Sequence, residues 1–499
     1  MADVLVANPY VLALDPHEHA LRRPYAPVNT LVVAAALRRA GHSVSVHDAT
    51  FEADESHFPA IVRAGAARGV THVALVLDDL SVQVKQCPAR IGEAQCAMAR
   101  AARAAGLRVL VSGPDVSDRP ATYLEHADSA VVGDPVDAVV AWVGGDGPVP
   151  GVHGWLGGGG RTSLIRDLDR LPDPDWDAID LRPYARMWRR AHGHWEAVVS
   201  TARGCPYRCN WCAKPTWGRS YSVRSPERVA AEMRLLVERH GADRFWISDD
   251  IFGLRRPWLE ALGSAMDVPR PLRCQSRVDL LRDPGYAAAL ARTGCDMVWM
   301  GAESGSDSVL RAMDKDGTVA DTKSAVANLR ELGVGVGLFL QLGYPGETLE
   351  DVHATIQMVR TLQPDEIGVS VSYPLPGTVF HAHVEHVLED THWRASMENR
   401  TLHPAPFPEA FYREAREVLR SVHSGGRLRE RSEAVLRQPS RRTVRRLAGA
   451  LWHRVRRRMV ERRMATLAVP NPAAIPLSWG RGSPLAGPAG IHGVLAPEG

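Results

Sequence analysis

Short apolar runs alternate with longer amphipathic stretches through most of the chain, in two series of different spacing. The short runs are rich in β-branched residues and end at turn residues, which is typical of buried strands, and the stretches between them have helical periodicity. Such alternation predicts parallel sheets covered by helices. The first series predicts strands at 3–8, 43–49, 71–77, 107–113 and 129–133, and the second predicts strands at 197–201, 244–250, 272–279, 297–304, 336–343 and 367–374.

The two series divide the chain into an α/β fold of two domains with a helical extension. Residues 1–145 predict a doubly wound, Rossmann-like parallel sheet, and the Gly-, Pro- and Asp-rich residues 146–190 predict a linker. Six further βα units at 191–385 predict a partial barrel, with its chemistry at the carboxyl ends of the strands. Residues 386–467 predict a basic helical region, and residues 468–499 a Pro- and Gly-rich tail.

Composition and charge restrict the class of protein only broadly. The chain has 499 residues, of which 45% are hydrophobic and 23% are charged, so it is long enough for several domains with full cores. It starts without a basic run followed by an apolar one, and its apolar runs are shorter than the roughly 20 residues of a membrane span. We therefore expect a cytoplasmic protein with no membrane partner. The net charge of +3 indicates no partner, although arginines crowd residues 413–463.

Three of the seven cysteines lie within eight positions, in the loop after the first strand of the second series. In a reducing compartment, clustered thiolates are metal ligands more often than disulfides. A structural zinc ion would need a fourth ligand, and the candidates are His192, His194, Cys274 and Cys295. A four-iron cluster held by three thiolates would instead leave one iron open to a visiting ligand. The three residues are Cys205, Cys209 and Cys212.

The C-x3-C-x2-C spacing, with Trp211 before its last cysteine, resembles the radical S-adenosylmethionine (SAM) superfamily. The resemblance implies that the three cysteines bind a 4Fe-4S cluster, that SAM chelates the open iron, and that one electron cleaves SAM to a 5'-deoxyadenosyl radical. It places Trp211 beside the adenine of SAM. Asp249 and Asp250 stand where the family, often with glycines, contacts the amino group, and Glu303 stands near the ribose or amino group. Each carboxylate could instead be a solvated or ion-paired loop residue.

Longer segments resemble the cobalamin-dependent branch of that superfamily, which contains the anaerobic magnesium-protoporphyrin cyclase and methylases of phosphorus and unactivated carbon. They include "WISDDIFGL", "LQLGYPGET" and "GVSVSYPLPGT", and the first domain resembles the branch's cobalamin-binding domain. Ser112, Gly113 and Gly133, at predicted strand ends, become candidate contacts for the nucleotide tail or corrin edge, with ordinary tight turns as the alternative. His17 in "DPHEHA" is a candidate cobalt ligand, although Ala20 replaces the glycine of the D-x-H-x-x-G motif.

The resemblance implies a methyltransferase that acts on an unactivated carbon or phosphorus of a small or carrier-bound intermediate of secondary metabolism. A methyl group on cobalamin would pass to a substrate radical, and an electron donor such as flavodoxin or ferredoxin would reduce the cluster. One alternative is a cyclase or rearrangement enzyme with the same cofactors. An RNA-modifying enzyme is disfavoured. The members of the superfamily that transfer a methylthio group to RNA need a second cysteine cluster in the first domain, and only Cys87 and Cys96 lie there. Tyr344 and Tyr373, on barrel loops, either border the substrate or pack.

Overall fold

The computed structural model describes residues 2–78, 88–145, 147–212, 217–218, 220–267, 269–375, 377–384, 400–427, 432–433, 435–436 and 441–475. Cys87 and most of the predicted tail lie outside these ranges. Within them the strands form two six-stranded sheets and one two-stranded sheet, which confirms the α/β class. The first sheet contains β1 (Asp3–Asn8), β2 (Ser43–Asp48), β3 (His72–Val76), β4 (Arg108–Ser112), β5 (Ser129–Val131) and β6 (Val152–Gly154).

The strand order of the first sheet is β2-β1-β3-β4-β5-β6, and β1 to β5 are parallel. The order reverses between β1 and β3, and open α/β sheets bind ligands at such a switch point. All five predicted strands are present. Helices are Pro16–Leu21, Val28–Arg39, Phe58–Ala67, Pro88–Ala104, Pro114–Asp118, Pro120–Leu124 and Pro135–Gly144.

The segment expected to be a linker is more structured than its composition suggests. Its strand β6 pairs antiparallel with β5, where His153 lies opposite Ala130, and so adds an edge to the first sheet. The same segment forms the helix Arg182–His192. Trp188 of this helix is buried and donates from Nε1 to the Pro24 carbonyl at 2.7 Å. The glycines and prolines of this segment therefore predicted its turns correctly, but they gave no sign that the segment packs against the first domain.

The second sheet has six parallel strands in chain order, which is the arrangement expected of the predicted partial barrel, and we call it the barrel. A short antiparallel pair, β8 (Ala202–Arg203) and β9 (Ser222–Val223), follows its first strand. The barrel strands are β7 (Glu196–Val199), β10 (Arg244–Ile247), β11 (Leu272–Ser276), β12 (Cys295–Glu303), β13 (Gly335–Leu342) and β14 (Glu366–Val371). The helices between them are Pro226–Glu238, Arg256–Ala265, Val278–Leu281, Pro284–Arg292, Asp307–Ala312, Val319–Glu331, Leu349–Leu362 and Val379–Val384.

The interior of the barrel is lined by aromatic side chains and glycines. Val298 and Met300 on one face of β12 are fully buried, whereas Trp299 on the opposite face is only half-buried. Trp299 stacks on Phe339 of β13 with ring centroids 4.7 Å apart. A side chain at Gly337 would collide with the indole of Trp299, so the glycine makes room for it. Since barrel strands alternate between interior and exterior, this half-buried face indicates an open interior with an apolar wall.

The two domains contact each other along β7, the first strand of the barrel. Near its start, the Tyr25 hydroxyl donates to Glu196 Oε1 at 2.9 Å. Beyond its end, Arg203 forms an ion pair with Asp134, which follows β5, at 2.6 Å. The carboxyl ends of the first sheet therefore lie beside the edge strand of the open barrel.

The C-terminal region is helical, as expected, with the helices Glu409–Gly426 and Arg441–Leu467 packed on each other. Residues 386–399 of the predicted region and 476–499 of the predicted tail lie outside the described ranges. Among the helices that the structure describes, none has the length and apolar character needed to cross a membrane.

Candidate functional site

The three cysteines lie on the loop between β8 and β9, at the carboxyl end of β7, as predicted. Gly204 precedes Cys205 with φ of +81°, and a side chain there would collide with the Ser220 carbonyl. Cys205 is buried, whereas Cys209 and Cys212 are half-exposed. The loop therefore presents its cysteines at the opening of the barrel. We call residues 205–212 the cysteine loop.

Asn210 anchors the cysteine loop from inside. Its side chain is buried, Nδ2 donates to the Ala312 carbonyl at 2.7 Å, and Oδ1 accepts from the Tyr344 hydroxyl at 2.8 Å. Its carbonyl accepts from the backbone N–H of Phe380 at 3.0 Å. Tyr344, which is fully buried, therefore supports the loop by packing. Nothing in the sequence around Asn210 indicated this role.

Arg277, which sequence reasoning missed, lies beside the cysteine loop. It follows β11 directly, its guanidinium carbon lies 3.5 Å from the ring centre of Tyr207, and its Nη1 lies 3.7 Å from Cys209 Sγ. Asp279 pairs with its Nε at 2.8 Å. The guanidinium thus places a positive charge beside a sulfur that would bind the cluster. Arg277 fell inside the predicted strand 272–279, and the family resemblance that selected Asp249 gave no signal for it.

Asp249 is buried and holds the turn that leads to the cysteine loop. Its Oδ1 accepts from the backbone N–H of Thr201 at 2.7 Å and of Ala202 at 3.0 Å, and Oδ2 accepts from the Thr201 hydroxyl. Burial raises the pKa of Asp249 to about 7, although these hydrogen bonds act to lower it. Its neighbour Asp250 is half-buried. The geometry gives Asp249 a local structural role, and contacts of either residue with SAM stay a prediction.

Glu303 ends β12 in a left-handed conformation with φ of +58°. Its Oε1 lies 2.6 Å from Lys315 Nζ, and both side chains are buried. A side chain at Gly301 would collide with both groups, so the glycine provides the space for this ion pair. Glu303 is thus ion-paired at the barrel end, and its contact with SAM stays a prediction. Lys315 was not foreseen, because it comes from a loop 12 residues further on.

Trp211 is half-buried and packs against an apolar cluster beneath the cysteine loop. That cluster contains Val309, Ala312, Met313, Tyr344, Phe380 and Val384. An indole held in this way next to Cys212 could present one face to an adenine, and this contact also stays a prediction. Tyr373, the other barrel-loop tyrosine, is 6% exposed and belongs to the main apolar core.

The first sheet has an open pocket at the ends of β1 and β3, which is its switch point. His17 is not among the described residues that line it. The His17 side chain is 60% exposed, and its Nδ1 lies 3.2 Å from Glu18 Oε1, a hydrogen bond that raises the pKa of the imidazole. The lining residues are Asn8, Tyr10, Asp15, Glu18, Arg23, Tyr25, Ala26, Pro27, Leu77 and Asp78.

Ser112, Gly113 and Gly133 lie at the ends of β4 and β5, as predicted. Ser112 Oγ is buried and has no hydrogen-bond partner among the described residues, which fits a polar group of a ligand. A side chain at Gly113 would come 2.9 Å from Leu77 Cβ, and one at Gly133 would collide with Thr162. The protein's own packing therefore explains both glycines as tight turns, and their contacts with cobalamin stay a prediction.

Three of the four candidates for a fourth zinc ligand are engaged elsewhere. His192 Nε2 lies 3.0 Å from the Leu21 carbonyl oxygen. Cys274 and Cys295 lie in the core with their sulfurs 3.7 Å apart, and burial raises the pKa of the Cys274 thiol well above its usual range. Among the residues that the structure describes, no three His, Cys, Asp or Glu side chains converge on a single ion. Three cysteines on one loop, two of them half-exposed, suit a larger iron-sulfur cluster better than a closed zinc site.

Residues 199–359, which contain the cysteine loop and four of the six strands of the second sheet in full, match the profile of the radical SAM superfamily. Residues 199–359 form a radical SAM domain. Such a domain implies a 4Fe-4S cluster and SAM as cofactors, which confirms the cofactors that the resemblance of the cysteine motif implied. The resemblance to the cobalamin-dependent branch is also supported, by the relatives and structures that follow.

The curated relatives include methyltransferases and a cyclase. The chain is 29% identical to an uncharacterized methyltransferase of Pyrococcus horikoshii over 46% of this chain and 50% of the relative. It is 30% identical to the anaerobic magnesium-protoporphyrin IX monomethyl ester cyclase of Cereibacter sphaeroides over 43% of this chain and 35% of the relative. The chain thus spans half or less of the length of these two relatives.

Solved structures extend the similarity to the first domain. The cobalamin-dependent SAM radical enzyme OxsB is similar over 94% of this chain and 72% of OxsB, with 12% identity and a TM-score of 0.68. The radical SAM methyltransferase TsrM from Kitasatospora setae, solved with cobalamin and a 4Fe-4S cluster, is similar over 77% of this chain and 78% of TsrM, with 20% identity and a TM-score of 0.61. At these identities the similarity shows a shared fold.

Proposed function

We propose that this protein is a cobalamin-dependent radical SAM methyltransferase that acts on a carbon or phosphorus of a small or carrier-bound intermediate. The observation that carries the proposal is the contact between the two sheets. The switch-point pocket lies at the carboxyl ends of the strands of the first sheet, and these strand ends lie along β7. The cysteine loop follows the carboxyl end of β7. Two cofactors placed on these two edges would share the open interior of the barrel.

Some residues of the chain would bind the cofactors, and others would shield the interior of the barrel from water. Cys205, Cys209 and Cys212 would hold the cluster, and the pocket at β1 and β3 would receive part of the cobalamin. When bound, the three cofactors supply an adenosyl radical and a transferable methyl group. Trp299 and Phe339 provide an apolar wall on the interior, which excludes water from reactive species.

The ion pair of Glu303 and Lys315 supplies fixed polar groups at the rim of that interior. Because both side chains are buried and joined, they would orient a bound polar group without the cost of reorganising. Hydrogen bonds from either residue to the methionyl or ribose part of SAM are part of this proposal.

Product analysis distinguishes the proposal from its rival. Reduced, reconstituted protein would be incubated anaerobically with cobalamin, candidate substrates and SAM that carries a deuterated methyl group. We expect 5'-deoxyadenosine and S-adenosylhomocysteine together, with the label in a product. Deoxyadenosine with an unlabelled, rearranged product would contradict methyl transfer and favour the cyclase alternative. Formation of neither SAM product would contradict both.

Two further expectations belong to this proposal. An electron donor such as flavodoxin or ferredoxin would reduce the cluster, since the chain needs one electron for each SAM that is cleaved. A cytoplasmic location would suit a cluster of thiolate ligands, because the cytosol keeps thiols reduced.

A further inference from the structure

The C-terminal helix Arg441–Leu467, here called the basic helix, has two different faces. One face packs on the helix Glu409–Gly426. Three of its apolar residues, Ala450, Val460 and Met464, are buried there, with 0%, 1% and 3% of their surface exposed. This contact fixes which side of the basic helix points away from the protein.

The opposite side of the basic helix is apolar and exposed. Val455 is 83% exposed, Trp452 is 52% exposed and Leu451 is 50% exposed. An α-helix turns by about 100° per residue. These three side chains, together with Val444 and Met459, therefore lie within an arc of about 100° on the side of the helix opposite Val460. We call this set the apolar stripe, and its members are Val444, Leu451, Trp452, Val455 and Met459.

Exposed arginines border the apolar stripe on both sides. By the same helical geometry, Arg454 and Arg458 lie along one border, and Arg445 and Arg463 along the other. Arg456 places its guanidinium carbon 4.6 Å from the ring centre of Trp452. Between residues 444 and 459 the outward face is thus apolar in the middle and cationic at both edges, and the exposed Arg462 continues the line of the stripe just beyond Met459.

We propose that the apolar stripe docks the protein on an anionic lipid surface. A bilayer with anionic headgroups offers an apolar layer for Val455 and Met459 and phosphates for the flanking arginines, which is the usual partner of a basic amphipathic helix. Nucleic acid would match the arginines but would leave the aliphatic side chains without an apolar partner. A second copy, related by a two-fold axis, would bring arginine borders of equal charge together.

This proposal departs from the expectation of no membrane partner for a physical reason. That expectation rested on the absence of an apolar run long enough to span a bilayer. A helix that lies in the interface needs only one apolar face, which appears when exposure is known for each residue. The proposal does not depend on the enzymatic activity.

The test is sedimentation of the full-length protein with vesicles. Vesicles of phosphatidylcholine alone are compared with vesicles that also contain phosphatidylglycerol, at low and high salt. We expect binding that requires phosphatidylglycerol and weakens with salt. Val455→Asp should weaken it by at least about tenfold, and because Val455 is 83% exposed, this variant should fold. Leu332→Asp, at an exposed position on the barrel, adds the same charge and should bind like the unaltered protein.

Other occupants of the stripe give different results, and each would overturn the proposal. Equal binding to both vesicle types, or unchanged binding of Val455→Asp, would show that the stripe does not recognise anionic lipid. Retention by RNA without vesicle binding would assign the arginines to nucleic acid. A dimer that Val455→Asp dissociates, again without vesicle binding, would assign the stripe to a second copy.

Discussion

Arg203 donates from Nη1 to Asp134 Oδ2 over 2.6 Å, and the two side chains are only 7% and 3% exposed. Arg203 lies two residues before Cys205, and Asp134 follows β5 and caps the helix Pro135–Gly144. This ion pair therefore joins the start of the cysteine loop to a strand end of the first sheet. In the proposed function it fixes the position of one cofactor relative to the other.

Arg203→Met should destabilise the protein by about 3–5 kcal/mol, because it leaves a buried carboxylate without its partner. Adding Asp134→Asn, which retains the cap, should restore part of the loss. Urea unfolding measures both effects. The exposed pair of Arg182 and Asp180 is the control, and Arg182→Met should leave stability unchanged. Equal unfolding midpoints for Arg203→Met and Arg182→Met would contradict the assignment.

Tyr344→Phe should loosen the cysteine loop. It removes a hydroxyl whose single hydrogen is shared between two acceptors, Asn210 Oδ1 at 2.8 Å and the Ala312 carbonyl oxygen at 3.0 Å. Loss of this donor from buried acceptors should cost about 1–3 kcal/mol. Hydrogen exchange of residues 205–212 should accelerate more than that of β7. Uniform acceleration across the barrel would show that Tyr344 supports the fold generally and not this loop.

Arg277→Gln should make the cluster harder to reduce. Its guanidinium lies 3.7 Å from Cys209 Sγ, and reduction adds negative charge beside it. Loss of the cation should cost about 1 kcal/mol in a well-solvated setting, so the midpoint potential should fall by roughly 40 mV. A redox titration followed by electron paramagnetic resonance measures this shift. Arg277→Lys, which keeps the charge, should shift the potential less, and equal shifts for both variants would show that charge is not the cause.

Glu347 should make stability fall as pH rises. It is 1% exposed, its Oε2 accepts from the Gly343 N–H at 2.6 Å, and burial raises its pKa to about 8 from an ordinary 4.5. Between these values the folded protein holds a proton that the unfolded chain releases. Stability is therefore lost as pH rises through this window, by up to about 1.4 kcal/mol per pH unit.

Urea unfolding at about pH 5.5 and about pH 7.5 measures this dependence. Glu347→Gln should reduce the slope, since the neutral amide keeps an acceptor for Gly343, and Asp249, whose pKa burial also raises, should keep part of it. The exposed neighbour Glu350 offers the matched control Glu350→Gln, which should keep the slope of the unaltered protein. An unchanged slope in Glu347→Gln would place the titrating group elsewhere.

Local features of the sequence predicted the strands and the cysteine loop, because short apolar runs that end at turn residues and the cysteine spacing are both visible within a few residues. The partners at the site were not visible, since Lys315, Asn210 and Arg277 meet their contacts only after distant segments come together. The strand β6 was hidden by its glycine-rich surroundings. The sequence did not reveal that the apolar stripe is exposed. Apolar residues at helical spacing give the same pattern whether they face the core or solvent.

The most direct test of the central claim is the metal content of the anaerobically reconstituted protein and of its triple variant Cys205→Ser, Cys209→Ser, Cys212→Ser. The account predicts about four iron and four sulfide per chain, absorption near about 400 nm, and a resonance signal of the reduced cluster that changes when SAM binds. The triple variant should lose all three features. About one zinc per chain in place of iron, or a cluster that persists in the triple variant, would contradict the account.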